Sequence, residues 1–206
     1  MADKLKIYGI ARSRAWRNFW AAEEAGVPYE VVETNWADGG TKKAEFLAIN
    51  PSGAVPALTD GSFAMSESLA INLYIARKGK GLYPANAQDE AKTWQWTLLA
   101  AIDLEKPLAA YVSNALAGPA DKRDAAKAAE AWKQLEKPLG VLDGALKGRD
   151  YLLGSAFTVA DLNAACICYN AWFNKADFSR WPALKAWLDR CLTRPACAKV
   201  RKLREG

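Results

Sequence analysis

The feature that most constrains this chain is a change of pattern at Leu82-Tyr83-Pro84-Ala85-Asn86. Before it, short strand-like runs alternate with helical stretches. Lys4-Leu5-Lys6-Ile7-Tyr8 alternates polar and apolar with period two, and Tyr29-Glu30-Val31-Val32-Glu33 reads as a second strand. Between them, Ser13 caps a helix running to Ala25, and Gly26 stands where a helix-ending glycine belongs. Residues Thr41 to Ile49 form a short helix or turn. Val55 to Thr59 and Ser62 to Met65 flank Asp60-Gly61, a strong hairpin signal. Ser66 or Ser68 then caps a helix through Ala76. The order β-α-β-α-β-β-α predicts a mixed α and β unit.

After the break the chain is rich in Ala, Leu, Lys and Glu, with helical periodicity throughout. Trp94, Leu98, Ala101 and Ile102 keep one helix face apolar. Gly118-Pro119 and Gly148 punctuate long helices. Thr158-Val159-Ala160-Asp161 is a capping box, with Phe157 available as its hydrophobic staple. Trp181-Pro182 and Arg194-Pro195-Ala196 open two further helices. The expectation is an all-α bundle of about five helices. The domains read as 1–82, a linker at 83–88, and 89–206.

Composition narrows the chemistry. The chain has 206 residues, no histidine and four cysteines. Without histidine there is no imidazole base and no histidine metal site. Cys166, Cys168, Cys191 and Cys197 fit no usual zinc spacing and are too few for a disulfide scaffold, so no metal is expected. The last 32 residues hold nine basic and three acidic groups. Lys199, Arg201, Lys202 and Arg204 read as cations near a helix C-terminus, where they complement its dipole, rather than as a nucleic-acid surface. The N-terminus lacks a signal-peptide core and no apolar run reaches membrane-spanning length, so a cytoplasmic protein with no membrane partner is expected.

Four segments together resemble the cytosolic glutathione transferase superfamily. They are Asn50-Pro51-x-Gly53-x-Val55-Pro56-x-Leu58 followed by Glu67-Ser68-x-Ala70-Ile71, and Ser13 to Glu30 with its Arg17, Trp20 and Gly26. The other two are the Phe157–Asp161 capping box and Trp181-Pro182 through Ala196. The resemblance is to a bacterial-type member, serine- or tyrosine-type rather than cysteine-type, because the first half contains no cysteine. It implies an α/β thioredoxin-like N-terminal domain followed by an all-α helical-bundle C-terminal domain. It also implies a homodimer, and glutathione as co-substrate with a small hydrophobic electrophile. The implied activity is glutathione conjugation in detoxification. A non-catalytic glutathione-binding module, or a glutathione-dependent lyase, isomerase or dehalogenase, is the alternative on the same scaffold.

The resemblance also assigns roles. Pro56 is cis in relatives, which turns the N–H and C=O of Val55 toward the glutathione backbone. Glu67 suits the γ-glutamyl ammonium, while Ser68 at a helix start suits its carboxylate. Lys42 matches a cation set against the glycyl carboxylate. Each of these also reads as an ordinary edge proline, cap or solvated cation. Ser13 is the first candidate to donate a hydrogen bond to the glutathione sulfur. Tyr8 is the second, and an ungapped comparison offers Arg12 instead. Arg12, Arg14 and Arg17 crowd a helix start, where acids are normally favoured. There they would stabilise a bound thiolate. Ile10, Leu108, Tyr111, Val112 and Trp172 would line the co-substrate pocket.

Overall fold

A computed structural model describes residues 4–206. Met1 to Asp3, where the expected first domain begins, lie outside them. The chain starts with β1 (Leu5–Tyr8), whose Leu5 and Ile7 are buried, and turns into α1 (Trp16–Ala25). Strand β2 (Tyr29–Val32) follows, then a 3-10 turn (Gly40–Lys42), α2 (Ala44–Ile49), β3 (Ala57–Asp60), β4 (Phe63–Ser66) and α3 (Ser68–Lys78). The sheet order is β2-β1-β3-β4. Strands β1 and β2 are parallel, and the other two pairings are antiparallel. Tyr8 pairs with Val32 on one side and Ala57 on the other.

The element order is the expected one, with two local differences. Asp60 pairs with Phe63, so the two-residue turn is Gly61-Ser62 rather than Asp60-Gly61. Gly61 takes the left-handed conformation (φ 59°) that makes such a turn easy, and Asp60 is left inside the strand. Neither Ser66 nor Ser68 caps α3. The capping position is Glu67, whose side chain makes no cap bond, and the helix runs on to Lys78. Ser68 is turned inward instead, because its oxygens are used by α1.

Helices α4 (Ala87–Leu99) and α5 (Glu105–Tyr111) are joined by a π-helical segment at Ala100–Leu104, and a second one follows at Val112–Leu116. Then come a 3-10 turn (Ala120–Lys122), α6 (Ala125–Leu146), α7 (Val159–Phe173), α8 (Pro182–Leu192) and α9 (Pro195–Glu205). The capping box forms at the start of α7. Its Asp161 is fully buried and accepts from Leu152 N–H (2.8 Å), Thr158 N–H (3.0 Å), Thr158 Oγ1 (3.1 Å) and Trp187 Nε1 (2.9 Å). Burial pushes this carboxyl upward against the pull of its four donors. Asp143 of α6 does a similar job at long range, accepting from the Ala183 and Leu184 N–H groups that open α8 (2.8 and 3.1 Å).

Packing divides the described residues into two units, one reaching to Tyr83 with Arg194–Gly206 added, the other Pro84–Thr193. The last helix groups with the first unit because α9 packs along α1. Arg194 donates to both carboxylate oxygens of Glu24 (2.8 and 2.7 Å), and Lys199 Nζ lies 2.8 Å from both of Glu23. In the helical unit, the apolar stripe read from the sequence faces outward: Trp94, Leu98 and Ile102 are 45, 51 and 68% exposed. Among the described residues no helix is long and apolar enough to cross a membrane.

Replacing Asp161 by alanine strands four buried donors. We expect a loss of about 3–5 kcal/mol in urea-induced unfolding, with Asp161→Asn losing less because it keeps one acceptor.

Candidate functional site

The first unit brings several of the candidate residues to one end of the sheet. Strand β1 ends at Tyr8, and the chain must turn at Gly9 to enter α1. Gly9 has φ +140°, and a Cβ there would lie 2.6 Å from Ala15 Cβ, 3.1 Å from Ser13 Oγ and 3.5 Å from Val55 Cβ. The empty space at Gly9 is therefore what lets the Ala15 side chain and the Ser13 hydroxyl pack against the end of β1, with Val55 in ordinary contact distance. No sequence signal singles out Gly9 beyond its being a glycine after a strand.

Ser13 is buried, and it is the pivot of the turn. Its Oγ donates to Ile10 C=O (2.7 Å) and accepts from Ala15 N–H (3.1 Å). The expected capping role is not kept: the capping position is Ala15, which makes no side-chain cap bond, and regular helix begins only at Trp16, so Ser13 shapes the tight turn ahead of α1 instead. The hydroxyl proton points to a carbonyl and the oxygen takes an N–H at a helix start. Rotation about Cβ–Oγ frees the proton for a nearby anion without losing the second bond.

Tyr8 and Arg12 have other surroundings. Tyr8 lies on the sheet face opposite Ile7, with its hydroxyl 3.4 Å from Thr59 Oγ1 and its ring 6.1 Å from that of Phe46. It borders a cavity of about 280 Å³ lined also by Thr34, Lys43, Glu45, Phe46 and Ile49. Arg12 is exposed, with Nη2 3.7 Å from where a Gly206 Cβ would stand. The three arginines expected to crowd the helix start differ in exposure, with Arg12 and Arg14 exposed. Arg17 is buried, and its Nη1 donates to Ser68 Oγ (3.2 Å).

The Val55–Pro56 bond is cis. Among the described residues, neither the N–H nor the C=O of Val55 is hydrogen-bonded, although β3 begins two residues later. The turn ahead of it is held by Asn50, whose Nδ2 donates to Ala54 C=O (2.7 Å) and whose Oδ1 accepts from Ser52 N–H (3.3 Å) and Oγ (3.0 Å). The Asn-Pro-Ser-Gly run is thus a shaped support for Val55. Lys42 reaches the same place, its Nζ 3.2 Å from the Cβ position of Gly53. Glu67 stands at φ 72°, ψ 107°, a conformation that costs a non-glycine residue about 1–3 kcal/mol. The carboxylate is exposed there, one residue ahead of the N–H groups that open α3.

The candidate co-substrate residues fall in both units. Ile10 is half-buried in the first, and its C=O receives both the N–H (2.9 Å) and the Oγ of Ser13. In the second, Leu108 and Val112 are buried. The Tyr111 ring lies 4.3 Å from that of Trp132, and burial pushes its hydroxyl pKa up. Trp172 is tied to α8 by its Nε1, which donates to Asp189 (2.7 Å).

Comparison with known proteins matches this geometry to one family. Residues 3–77 match the model of the glutathione S-transferase N-terminal domain, and residues 103–195 that of the C-terminal domain. The chain is 34% identical to "Glutathione S-transferase 1" of Zea mays over 206 residues, which covers 97% of this chain and 96% of that one. Among solved structures it resembles glutathione S-transferase-I bound with lactoylglutathione (TM-score 0.86, 32% identity, 98% and 100% of the two chains). It also resembles the theta class enzyme of Xanthomonas axonopodis pv. citri with glutathione bound (TM-score 0.86, 32% identity, 97% of each chain).

Two substitutions test the strain and the space described above. Gly9→Ala is expected to lower stability by about 2 kcal/mol, from overpacking against Ala15 and the disallowed φ. Glu67→Gly is expected to raise it by about 1 kcal/mol, since relief of the positive φ exceeds the added glycine entropy. Urea midpoints at constant slope measure both.

Proposed function

The chain belongs to the glutathione S-transferase family, and on that premise we propose that it transfers the thiolate of glutathione to the electrophilic carbon of small hydrophobic compounds. The observation that carries this reading is the meeting of Ser13 and Val55 around Gly9, with the unpaired backbone of Val55 beside it. Val55 pairs with the glutathione peptide backbone next to cis-Pro56. The Glu67 carboxylate takes the γ-glutamyl ammonium. Ser68 and the N–H groups opening α3 take the γ-glutamyl carboxylate, and the Lys42 ammonium takes the glycyl carboxylate.

With the peptide so held, the sulfur meets the Ser13 hydroxyl. The hydroxyl turns from Ile10 C=O to the sulfur and donates, while its oxygen keeps the Ala15 N–H. A free thiol titrates near 8.5, and a donor aimed at the anion lowers that value. The thiolate lone pair then forms the C–S bond, and the displaced group leaves with the electrons of its own bond. The protein contributes binding, orientation and stabilisation of the anion. Tyr8 and then Arg12 stand behind Ser13 as donors. Ile10, Leu108, Tyr111, Val112 and Trp172 are proposed to meet the electrophile. The glutathione-binding domain is assigned to 1–82, the linker to 83–88 and the helical domain to 89–206. A cytoplasmic detoxification role completes the reading.

A homodimer is part of it. Trp94, Leu98 and Ile102 are spaced four residues apart on one face of the α4 region and are exposed, as is Val141 of α6. Contiguous exposed apolar side chains of this kind mark interaction sites, and a second copy of the chain is the partner this reading supplies.

Removing the Ser13 donor destabilises bound thiolate, so the form that reacts is reached only at higher pH. Ser13→Ala is expected to cut kcat about 10- to 100-fold with chlorodinitrobenzene, from the loss of a charge-assisted hydrogen bond of about 1.5–3 kcal/mol. It is also expected to shift the thiolate limb of the pH profile upward by about 1–2 units. Tyr8→Phe should change neither; if it does while Ser13→Ala is silent, Tyr8 is the donor. Retention on immobilised glutathione without turnover of any electrophile would point to a binding module instead. Leu98→Arg combined with Ile102→Asp is expected to give a monomer in sedimentation equilibrium; an unchanged mass would remove this face from the dimer.

A further inference from the structure

The turn that carries Ser13 is held mostly by bonds within itself. Ser13 N–H and Oγ both reach Ile10 C=O, Ala15 N–H reaches Ser13 Oγ, and Trp16 N–H reaches Ser13 C=O at 3.4 Å. Bonds this local set the shape of the turn but do not fix where it sits. Arg204, near the end of α9, supplies a tie from far away. Its Nη1 donates to Ala11 C=O (3.0 Å) and to Ser13 C=O (3.3 Å), and its guanidinium lies 5.6 Å from the centre of the Trp16 ring. It reaches there because α9 runs antiparallel to α1. Arg194 and Lys199 bind Glu24 and Glu23 at the far end of α1, and Arg204 meets the near end.

We propose that Arg204 is a positioning residue for Ser13, clamping the Ala11 and Ser13 carbonyls between α9 and Trp16 so that the Ser13 hydroxyl is held where it meets the glutathione sulfur. This rests on the reading of Ser13 as the sulfur's donor. The Trp16 N–H bond to Ser13 C=O is long and restrains that carbonyl weakly. Arg204 adds a charge-assisted donor on a planar head that is itself restrained by an aromatic face. Fixing the Ser13 carbonyl fixes the peptide plane entering α1, and with it the Cα from which Oγ swings. Ser13 can then exchange Ile10 C=O for a sulfur while keeping Ala15 N–H, and the turn does not drift. The charged and titratable groups around it are Arg12 and Arg14 beside Ser13, Arg17 on α1, Tyr8 at the end of β1 and Arg204 on α9.

The test uses the full-length protein with Arg204→Gln, Arg204→Lys, Lys199→Gln and Ser13→Ala, and Arg204→Gln in the Ser13→Ala background. Rates are followed against pH with glutathione and chlorodinitrobenzene, alongside hydrogen exchange of residues 9–17. Arg204→Gln is expected to lower kcat about tenfold, the scale of a slightly misplaced reacting group. It is also expected to move the thiolate limb upward, speed exchange at Ser13 and Ala15, and leave the KM for glutathione within about twofold. Arg204→Lys, which keeps a donor and the charge, should recover part of the loss. Lys199→Gln cuts a neighbouring tie of the same helix and should lower Tm without moving the limb. With Ser13→Ala already present, Arg204→Gln should add no further shift. The proposal is overturned if Arg204→Gln leaves kcat and the limb unchanged, or changes them no more than Lys199→Gln does. A silent Ser13→Ala would overturn it too, and would locate the failure in the reading of Ser13 rather than in the clamp.

Discussion

The two helix starts at the candidate site depend on the buried contact between α1 and α3. Asn18 of α1 donates through Nδ2 to Ser68 C=O (2.8 Å) and to Asn72 Oδ1 (2.7 Å), and Arg17 donates to Ser68 Oγ. All four residues are buried. Buried polar groups are costly when unpaired, so a network like this one tolerates little sliding between its helices. Two helix starts are thereby set in fixed relation. One carries the Ser13 turn, and the other carries Glu67 and Ser68. An apolar contact of the same area would hold the helices together without dictating their register.

The second constraint is electrostatic. The excess of positive charge at the end of the chain invites a nucleic-acid reading, and the helix dipole is a sufficient account for a sequence alone. In three dimensions much of that charge is already engaged within the fold. Arg194 and Lys199 meet the acids at the end of α1, Arg201 meets Glu205 on its own helix, and Arg204 meets backbone carbonyls beyond the start of α1. Exposed pairs such as Lys199–Glu23 contribute little each. Their value lies in alignment, because together they set α9 antiparallel on α1 and bring Arg204 to the turn.

What was legible in the sequence follows the range of the interaction. The capping box at Thr158 spans three residues and formed as read. The Asp-Gly pair marks the hairpin but places its turn one position early, since strand pairing, not turn propensity, decides whether Asp60 belongs to the strand. Ser68 was legible as a helix-start residue, yet its partners on α1 were not. The apolar spacing of Trp94, Leu98 and Ile102 was plain, but amphipathicity says only that a face is apolar. It does not say whether the chain's own core or another molecule covers it.

By itself, the sequence determined the two patterns of periodicity, the order of strands and helices, the caps that need only neighbours, and the absence of any histidine chemistry. Each is decided by residues a few positions apart, where backbone sterics and hydrogen-bond reach leave little choice. Tertiary structure alone decided that α9 returns to the first unit, that Asp143 opens a helix 40 residues away, and that an arginine 191 residues beyond Ser13 grips its carbonyl. Such contacts depend on where packing brings distant groups, which no local rule contains. Gly9 joins the two levels: the sequence shows only a glycine after a strand, and the fold shows why a side chain there would collide with Ala15 and crowd the Ser13 hydroxyl.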